Sequence, residues 1–241
     1  MPNAWREYRL GFDFLQCGRS RAYPYKPLLP LLCGMPMRCG ASTIESVGWL
    51  SDQTWLAHGI HFNKEEVQKL GKAGVGICHC PTSNMMLASG ICHSLELENA
   101  GSTIGLGVDG SASNDGSNMI AELRQAMYLQ RLRYGASKIT HQKAYHWATK
   151  GSAVLLGRDD IGEIAVGKQA DLALFKLDEM RFSGSHDALA ALLLCGAQKA
   201  DRVMIAGNWK VVDGRIIDQD SSELMSRHSD AAKQLRQLSS L

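Results

Sequence analysis

Two side chains capable of chemistry stand at the ends of short apolar segments. His58 closes the segment at residues 54–58, and Asp109 follows the segment at residues 103–108. A buried carboxylate is costly unless it is paired, hydrogen-bonded or bound to a metal ion. A histidine in such a place can bind a metal, transfer protons or hold a substrate oxygen. The two residues are therefore the first candidates for acid–base or metal-assisted chemistry.

The elements that must position these residues have the pattern of an α/β protein. Three buried strands are predicted, with ends at His58, Cys80 and Asp109, separated by 22 and 29 residues. A (β/α)₈ barrel uses about 31 residues for each strand–helix unit and places catalytic groups at the carboxyl ends of its strands. The spacing therefore suits consecutive units of such a barrel.

Helix signals lie between and after these strands. Asn63 with Glu66 three residues later has the spacing of a capping box, and Thr140 is a second N-cap candidate. Residues 95–98 predict a short helix, and residues 120–127 place an apolar face on a longer one. The sequence thus predicts alternating strands and helices up to about residue 160.

The remainder of the chain has a different pattern. Residues 167–175, 203–206 and 210–214 predict strands of a small separate β-sheet, and residues 222–238 predict an amphipathic helix. We therefore divide the chain into a segment rich in proline and arginine (1–43), a partial barrel (44–160), a small β-sandwich with an intervening helix (161–220) and a C-terminal helix (221–241).

Composition excludes several function classes. The 26 basic and 24 acidic residues give a net charge of +2 without a basic stripe, so no nucleic-acid partner is expected. No apolar run is long enough for a membrane span, and the N-terminus lacks a secretory signal pattern. Seven cysteines without a zinc-ribbon or redox spacing indicate reduced thiols. A cytoplasmic protein is expected.

Residues 1–43 differ from the rest of the chain. They contain five of the six prolines, and their six basic and two acidic side chains give a local charge of +4. Proline removes a backbone donor and constrains the residue before it, so irregular structure is expected here. The segment is either an ordered arm or a stretch foreign to the remaining residues of the chain.

Three motifs carry a resemblance to a known family. Residues 55–59 (WLAHG), 78–84 (CHCPTSN) and 107–114 (GVDGSASN) resemble, in order, the last three barrel-strand motifs of guanine deaminases, S-adenosylhomocysteine deaminases and triazine hydrolases, a branch of the amidohydrolases. The likeness extends over about residues 44–220. It implies a metal-dependent (β/α)₈ barrel with a small β-sandwich domain, of which this chain is the incomplete C-terminal part.

Within that branch the motifs are most similar to those of 8-oxoguanine deaminases. The resemblance implies hydrolytic deamination of an aminated purine by water on a divalent metal, zinc or alternatively iron. Asp109 would be metal ligand and proton acceptor, and His58 would hydrogen-bond the water or the tetrahedral centre. It also implies that Asn84, Ser111 and Asn114 bind substrate, and that the protein is a homo-oligomer, which open sheet edges would also favour.

The chain departs from this family in its first half. The family takes an H-x-H pair from its first strand and a histidine, with a glutamate three residues later, from its fifth, but no histidine precedes His58 here. The expected metal site is therefore incomplete, and a truncated or frameshifted chain with native-like sequence from about Ile44 is suspected. A non-catalytic remnant, and a hydrolase of triazines or other heterocycles, remain alternatives.

Three further signals are given less weight. The cysteines and histidines at residues 78–80 and 92–93 could suggest zinc, but strand alternation separates His79 from its neighbouring thiols. His141 and His146 are poorly placed for a shared metal on a helix, and His141 is expected to be exposed. Residues 105–110 resemble a dinucleotide loop, but they continue into Ser-Ala-Ser and not directly into a helix.

Overall fold

The computed structural model describes residues 18–19, 40–196 and 199–239, with side chains for residues 40–196 and 199–238. These residues form two compact units. The first contains the described residues up to Lys168 together with Ser185–Gly196, and the second contains Gln169–Gly184 and the residues from 199 onward. The predicted irregular structure of residues 1–43 lies mostly outside the described residues, and the four-part division stays a prediction.

The first unit is built on a mostly parallel sheet. Its strands are β1 (Gly18–Arg19), β2 (Thr54–Ala57), β3 (Gly76–His79) and β4 (Ile104–Leu106), in the spatial order β1-β2-β3-β4. β2, β3 and β4 are parallel, and β1 is antiparallel to β2. The predicted order of the three buried strands is confirmed, and each stops one to three residues before His58, Cys80 or Asp109.

Helices connect and follow these strands, as expected for βα units. Both predicted N-caps are present: Asn63 and Glu66 form a complete capping box, and the Thr140 side chain accepts the Lys143 N–H. A π-helical turn, Trp147–Gly151, precedes α7. The helices of this unit are α1 (Ala41–Ser46), α2 (Lys64–Lys72), α3 (Pro81–Met86), α4 (Ser94–Ala100), α5 (Met119–Tyr134), α6 (His141–His146), α7 (Ser152–Leu155) and α8 (Ala188–Leu194), with a 3₁₀ turn at Ala136–Lys138.

A hydrophobic core joins the sheet to these helices. Apolar side chains from the strands interlock with apolar faces of the helices and lose nearly all of their contact with water, which is the main stabilising contribution. The fully buried members include Leu70, Ile77, Leu97, Met127, Ile139 and Trp147. The core therefore holds the carboxyl ends of β2, β3 and β4 in fixed positions.

The outer edge of β4 is contacted by the start of α7. The Ser152 hydroxyl accepts the N–H of Leu106 at 3.1 Å, and its oxygen lies 2.9 Å from the Trp147 carbonyl and 3.2 Å from the Leu106 carbonyl. Gly151 lies so close that an added Cβ would collide with the Ile104 carbonyl oxygen, so only glycine fits. No strand in the described part of the chain pairs with this edge.

The second unit is a small antiparallel sheet with a long helix. Its strands, in the order β5-β6-β7-β8, are β5 (Leu172–Leu174), β6 (Arg202–Ile205), β7 (Asn208–Val212) and β8 (Arg215–Ile216). A 3₁₀ turn lies at Met180–Phe182, and the predicted C-terminal helix is present as α9, Ser221–Ser239. The predicted strands are therefore found, although β5 is shorter than expected. Among the described helices, none is long and apolar enough to cross a membrane.

Candidate active site

His58 is the first residue after β2 and is held by its backbone. Its N–H donates to the carbonyl of Cys78 at 2.8 Å, which extends the pairing of β2 with β3 by one residue. Its φ is +71°, in the left-handed region that residues other than glycine seldom adopt. The side chain is only 5% exposed, so the backbone turn directs the imidazole into the protein.

Asp109 occupies a similar place after β4. Its φ is +62° and its side chain is 1% exposed. The Oδ2 atom accepts hydrogen bonds from Ser83 Oγ at 2.5 Å and from Ser113 Oγ at 3.4 Å, and the two serine hydroxyls are 2.7 Å apart. Hydroxyl donors compensate for part of the cost of burying a carboxylate.

The two predicted catalytic residues are brought together. His58 Nε2 lies 3.9 Å from Asp109 Oδ2, a separation beyond a direct hydrogen bond but within a favourable electrostatic range. Each also adopts a left-handed backbone conformation, which costs of order 1–3 kcal/mol per residue and is concentrated at functional sites. This juxtaposition is the main evidence for a catalytic centre at this end of the sheet.

Asn84 determines how the imidazole is oriented. This residue of α3 is buried, and its Nδ2 donates to Nδ1 of His58 at 2.9 Å. A ring nitrogen that accepts a hydrogen bond carries no proton in the neutral imidazole, so the proton of neutral His58 lies on Nε2, toward Asp109. Within the described part of the chain, Asn84 Oδ1 has no hydrogen-bond partner. A role in substrate binding stays a prediction for Asn84.

The other two predicted substrate-binding residues both follow Asp109 in the chain, before the start of α5. Asn114 is buried, and its Nδ2 donates to the Val108 carbonyl and to Glu122 Oε1, both at 2.8 Å. Ser111 is exposed in the loop after Asp109. Their assignment to the substrate stays a prediction. The interaction of Asn114 with Glu122, which was not predicted from the sequence, links the Asp109 loop to α5.

Three neighbouring groups at the end of β3 have perturbed acidity. Burial, with a smaller effect of His58, lowers the pKa of His79 to about 3, so its imidazole is neutral. A hydrogen bond from the Cys80 thiol lowers the pKa of Cys78, and the same bond together with burial raises the pKa of Cys80. Protons and charge at the end of β3 are therefore strongly constrained by burial.

The prediction that His141 is exposed is wrong. Its Nε2 lies 3.0 Å from Asp187 Oδ2, and its side chain is 17% exposed. The partner comes from the N-cap of α8, far along the chain, so local sequence could not indicate the pairing. His146, by contrast, is exposed.

The donor set at this site is too small for a metal ion by itself. Catalytic zinc sites usually take three protein ligands. Asp109 offers a carboxylate and His58 an imidazole, but no group of three histidine, cysteine, aspartate or glutamate side chains in the described ranges is arranged to hold a metal. Asp109 fits the role of one ligand, and the described residues do not complete the set.

Comparison with known proteins identifies the family. The pattern of the family described as "Amidohydrolase family" matches residues 38–210. The chain belongs to the amidohydrolase family. It is 69% identical over 192 residues to the 8-oxoguanine deaminase of Pseudomonas aeruginosa, a match that covers 80% of this chain and 43% of that protein. It is also 35% identical to an isoxanthopterin deaminase from an unknown prokaryotic organism, over 73% of this chain and 40% of the relative.

Solved amidohydrolase structures have the same fold. An adenosine deaminase from Xanthomonas campestris with bound zinc superposes with a TM-score of 0.78 at 32% identity, over 81% of this chain and 45% of that one. The zinc complex of atrazine chlorohydrolase from Arthrobacter aurescens gives 0.75 at 32% identity, over 78% and 43%. The incomplete (β/α)₈ barrel predicted from the sequence is confirmed. The chain spans less than half the length of the curated relatives it matches.

Proposed function

We propose that this amidohydrolase chain carries one half of a site for hydrolytic deamination of an aminated purine, with 8-oxoguanine as the substrate. The approach of His58 to Asp109, at the carboxyl ends of two barrel strands that flank β3, supports the proposal most directly. The 69% identity to an 8-oxoguanine deaminase supports the choice of purine. The reaction replaces the exocyclic amine of the ring with oxygen from water and releases ammonia.

The proposal gives each of the two residues a separate task. Asp109 accepts a proton from the attacking water, because its carboxylate is buried beside hydroxyl groups and next to an imidazole. His58 keeps its proton on Nε2 and donates a hydrogen bond to the oxygen at the tetrahedral carbon. The C–N bond then breaks, and the departing amine takes up the proton to leave as ammonia.

A divalent metal, zinc in this proposal, supplies the family's means of making hydroxide available near neutral pH. The described residues do not complete a site for it, so the remaining ligands must come from polypeptide outside the described residues. Asp109 is the residue proposed as a ligand from this chain.

Two alternative functions are supported by particular observations. The absence of a three-ligand group in the described ranges favours a non-catalytic remnant. Superposition on atrazine chlorohydrolase favours a triazine or another heterocycle as substrate. Identifying the group that leaves the ring distinguishes the second alternative from deamination, which releases ammonia.

A chimeric enzyme tests the proposal. The stretch of the Pseudomonas aeruginosa 8-oxoguanine deaminase that this chain matches is replaced by the corresponding residues of this chain. We expect zinc binding and ammonia release from 8-oxoguanine. A folded, zinc-loaded chimera that turns over a triazine but no purine supports the heterocycle alternative, and one that is inactive on both supports the remnant.

A further inference from the structure

Glu122 is a buried acid that lies outside the candidate active site and contacts two of the segments that form it. It belongs to the first turn of α5 and is 1% exposed. Its Oε2 accepts the backbone N–H of Thr82 at 3.1 Å, and its Oε1 accepts Asn114 Nδ2 at 2.8 Å. Both carboxylate oxygens are thus used, one for each segment.

The first of these contacts fixes the beginning of α3. Thr82 directly precedes Ser83 and Asn84, the residues whose side chains bond Asp109 and His58. The first N–H groups of a helix have no partner within the helix, and the Glu122 carboxylate supplies one for Thr82. A displacement of Thr82 would therefore move the two adjacent side chains away from the site.

The second contact fixes the loop after β4. Asn114 joins Glu122 to the carbonyl of Val108, the residue before Asp109, and Ser113 next to it donates to the Asp109 carboxylate. The loop thus bridges α5 to the left-handed turn at Asp109. Through these two contacts, one carboxylate holds both serine donors of Asp109 in place.

We propose that Glu122 is a positioning residue, which aligns Ser83, Asn84 and Ser113 on Asp109 and His58 without touching the reacting atoms. The expected effect of Glu122 on catalysis rests on the proposed function. The structural coupling of α3 to the loop after β4 through Glu122 does not. A carboxylate accepts at both oxygens, but the amide of glutamine accepts at only one and would direct its NH₂ group at a donor. Glu122→Gln therefore breaks the hydrogen bond to one of the two segments while nearly preserving the side-chain volume.

Glu98 provides a matched control. It is also a glutamate that joins separate elements: its Oε1 accepts Trp147 Nε1 at 3.0 Å, and its Oε2 lies 2.6 Å from Lys143 Nζ. It lies on α4, and these two partners belong to the π-helical turn and to α6 rather than to α3 or the Asp109 loop. Glu98→Gln removes a negative charge and alters two contacts between other elements of the first unit, at a side chain that is 21% exposed.

The first experiment measures hydrogen exchange in the 241-residue chain. In Glu122→Gln we expect backbone exchange to become about 10-fold faster in residues 81–87 and 107–116, because these segments open locally. Glu98→Gln should leave both segments within about 2-fold of the parent and change exchange near Trp147 instead. Uniform acceleration along the chain, or unchanged exchange in the two segments, would overturn the proposal.

The second experiment measures kinetics in the chimeric enzyme. Glu122→Gln should lower kcat by about 10- to 100-fold with KM within about 3-fold, because it disturbs the reacting groups more than substrate binding. Combined with Ser83→Ala, the loss should be smaller than the product of the separate losses, since both act through Asp109. For Glu98→Gln combined with Ser83→Ala, the loss of kcat should equal the product of the two separate losses.

The two experiments separate the possible failures. An inactive chimera whose Glu122→Gln variant still exchanges faster in the two segments contradicts the proposed function but supports the coupling. An active chimera that keeps full kcat in Glu122→Gln contradicts the positioning role. Multiplicative losses for Glu122→Gln and Ser83→Ala would also contradict it.

Discussion

The amide of Asn84 donates to Nδ1 of His58 over 2.9 Å, so a side chain on α3 selects the tautomer of an imidazole at the end of β2. Both groups are buried, which strengthens the bond relative to one in water. The proton of the neutral ring then lies on Nε2, the atom nearest Asp109. The orientation of the candidate catalytic histidine therefore depends on a residue of the following βα unit.

Removal of this amide should impair catalysis. In the chimeric enzyme, Asn84→Ala should lower kcat/KM for 8-oxoguanine by about 100-fold, because His58 loses the partner that fixes its tautomer. Asn99→Ala, at an exposed position on α4, is the control and should change kcat/KM by less than about 2-fold. Equal rates in the two variants would exclude this role of Asn84.

Loss of the Asp109 charge should have a larger effect. In the same chimera, Asp109→Asn should reduce ammonia release by about 10³-fold or more, since it removes the proposed proton acceptor and a proposed metal ligand. The exposed residue Asp115 supplies the control, and Asp115→Asn should retain near-parental turnover. If Asp109→Asn deaminates 8-oxoguanine at a normal rate, Asp109 has another task.

Burial of His79 should make the stability of the chain depend on pH. The fold lowers the pKa of His79 from 6.5 to about 3, so the unfolded state binds the proton more readily. This contribution to stability is complete above pH 6.5 and is lost as the pH falls toward 3. Between pH 7 and pH 5, the free energy of unfolding should decrease by about 2 kcal/mol on this account.

Denaturant unfolding at the two pH values measures this effect. His79→Gln should reduce the difference between pH 7 and pH 5 by about 2 kcal/mol relative to the parent. His61→Gln, which removes an exposed histidine, should leave it unchanged. A parental pH dependence in His79→Gln would mean that another group is responsible.

The purified 241-residue chain should hold little metal. One carboxylate with a neighbouring imidazole is fewer ligands than catalytic zinc sites use, so zinc or iron should be well below one equivalent by elemental analysis. Deamination of guanine, isoguanine and 8-oxoguanine should be undetectable. Stoichiometric metal with turnover that a chelator abolishes would contradict this prediction and would mean that the ligands are completed by other polypeptide.

The features that were predictable from the sequence are those with local signals. The capping box of Asn63 and Glu66 needs residues only three apart, and both hydrogen bonds of the box are present. The strand before His58 was recognisable because a short apolar run is followed by a polar residue and glycine. The order of the three parallel strands followed from their spacing, since consecutive βα units lie side by side.

The features that were missed depend on contacts between distant residues. Ser83 and Asp109 are 26 positions apart, and Thr82 and Glu122 are 40 apart. A glutamate in the first turn of a helix has an ordinary explanation in the helix dipole, so nothing marked Glu122 as buried. The pairing of His141 was missed because its acidic partner, Asp187 at the start of α8, is also distant in sequence. Such pairings are determined by the packing of helices and not by their sequences alone.

The Ser152 hydroxyl at the edge of β4 limits how the chain could polymerise. An unpaired sheet edge can bind a strand from another copy of the chain, because its backbone N–H and C=O groups are available for pairing. Each added strand then presents a new unpaired edge to the next copy. Ser152 accepts the N–H of Leu106, so this backbone donor is already used at the edge of β4. Growth by strand addition would first have to displace this hydroxyl. A single serine thus makes the half-barrel a poorer template for its own copies.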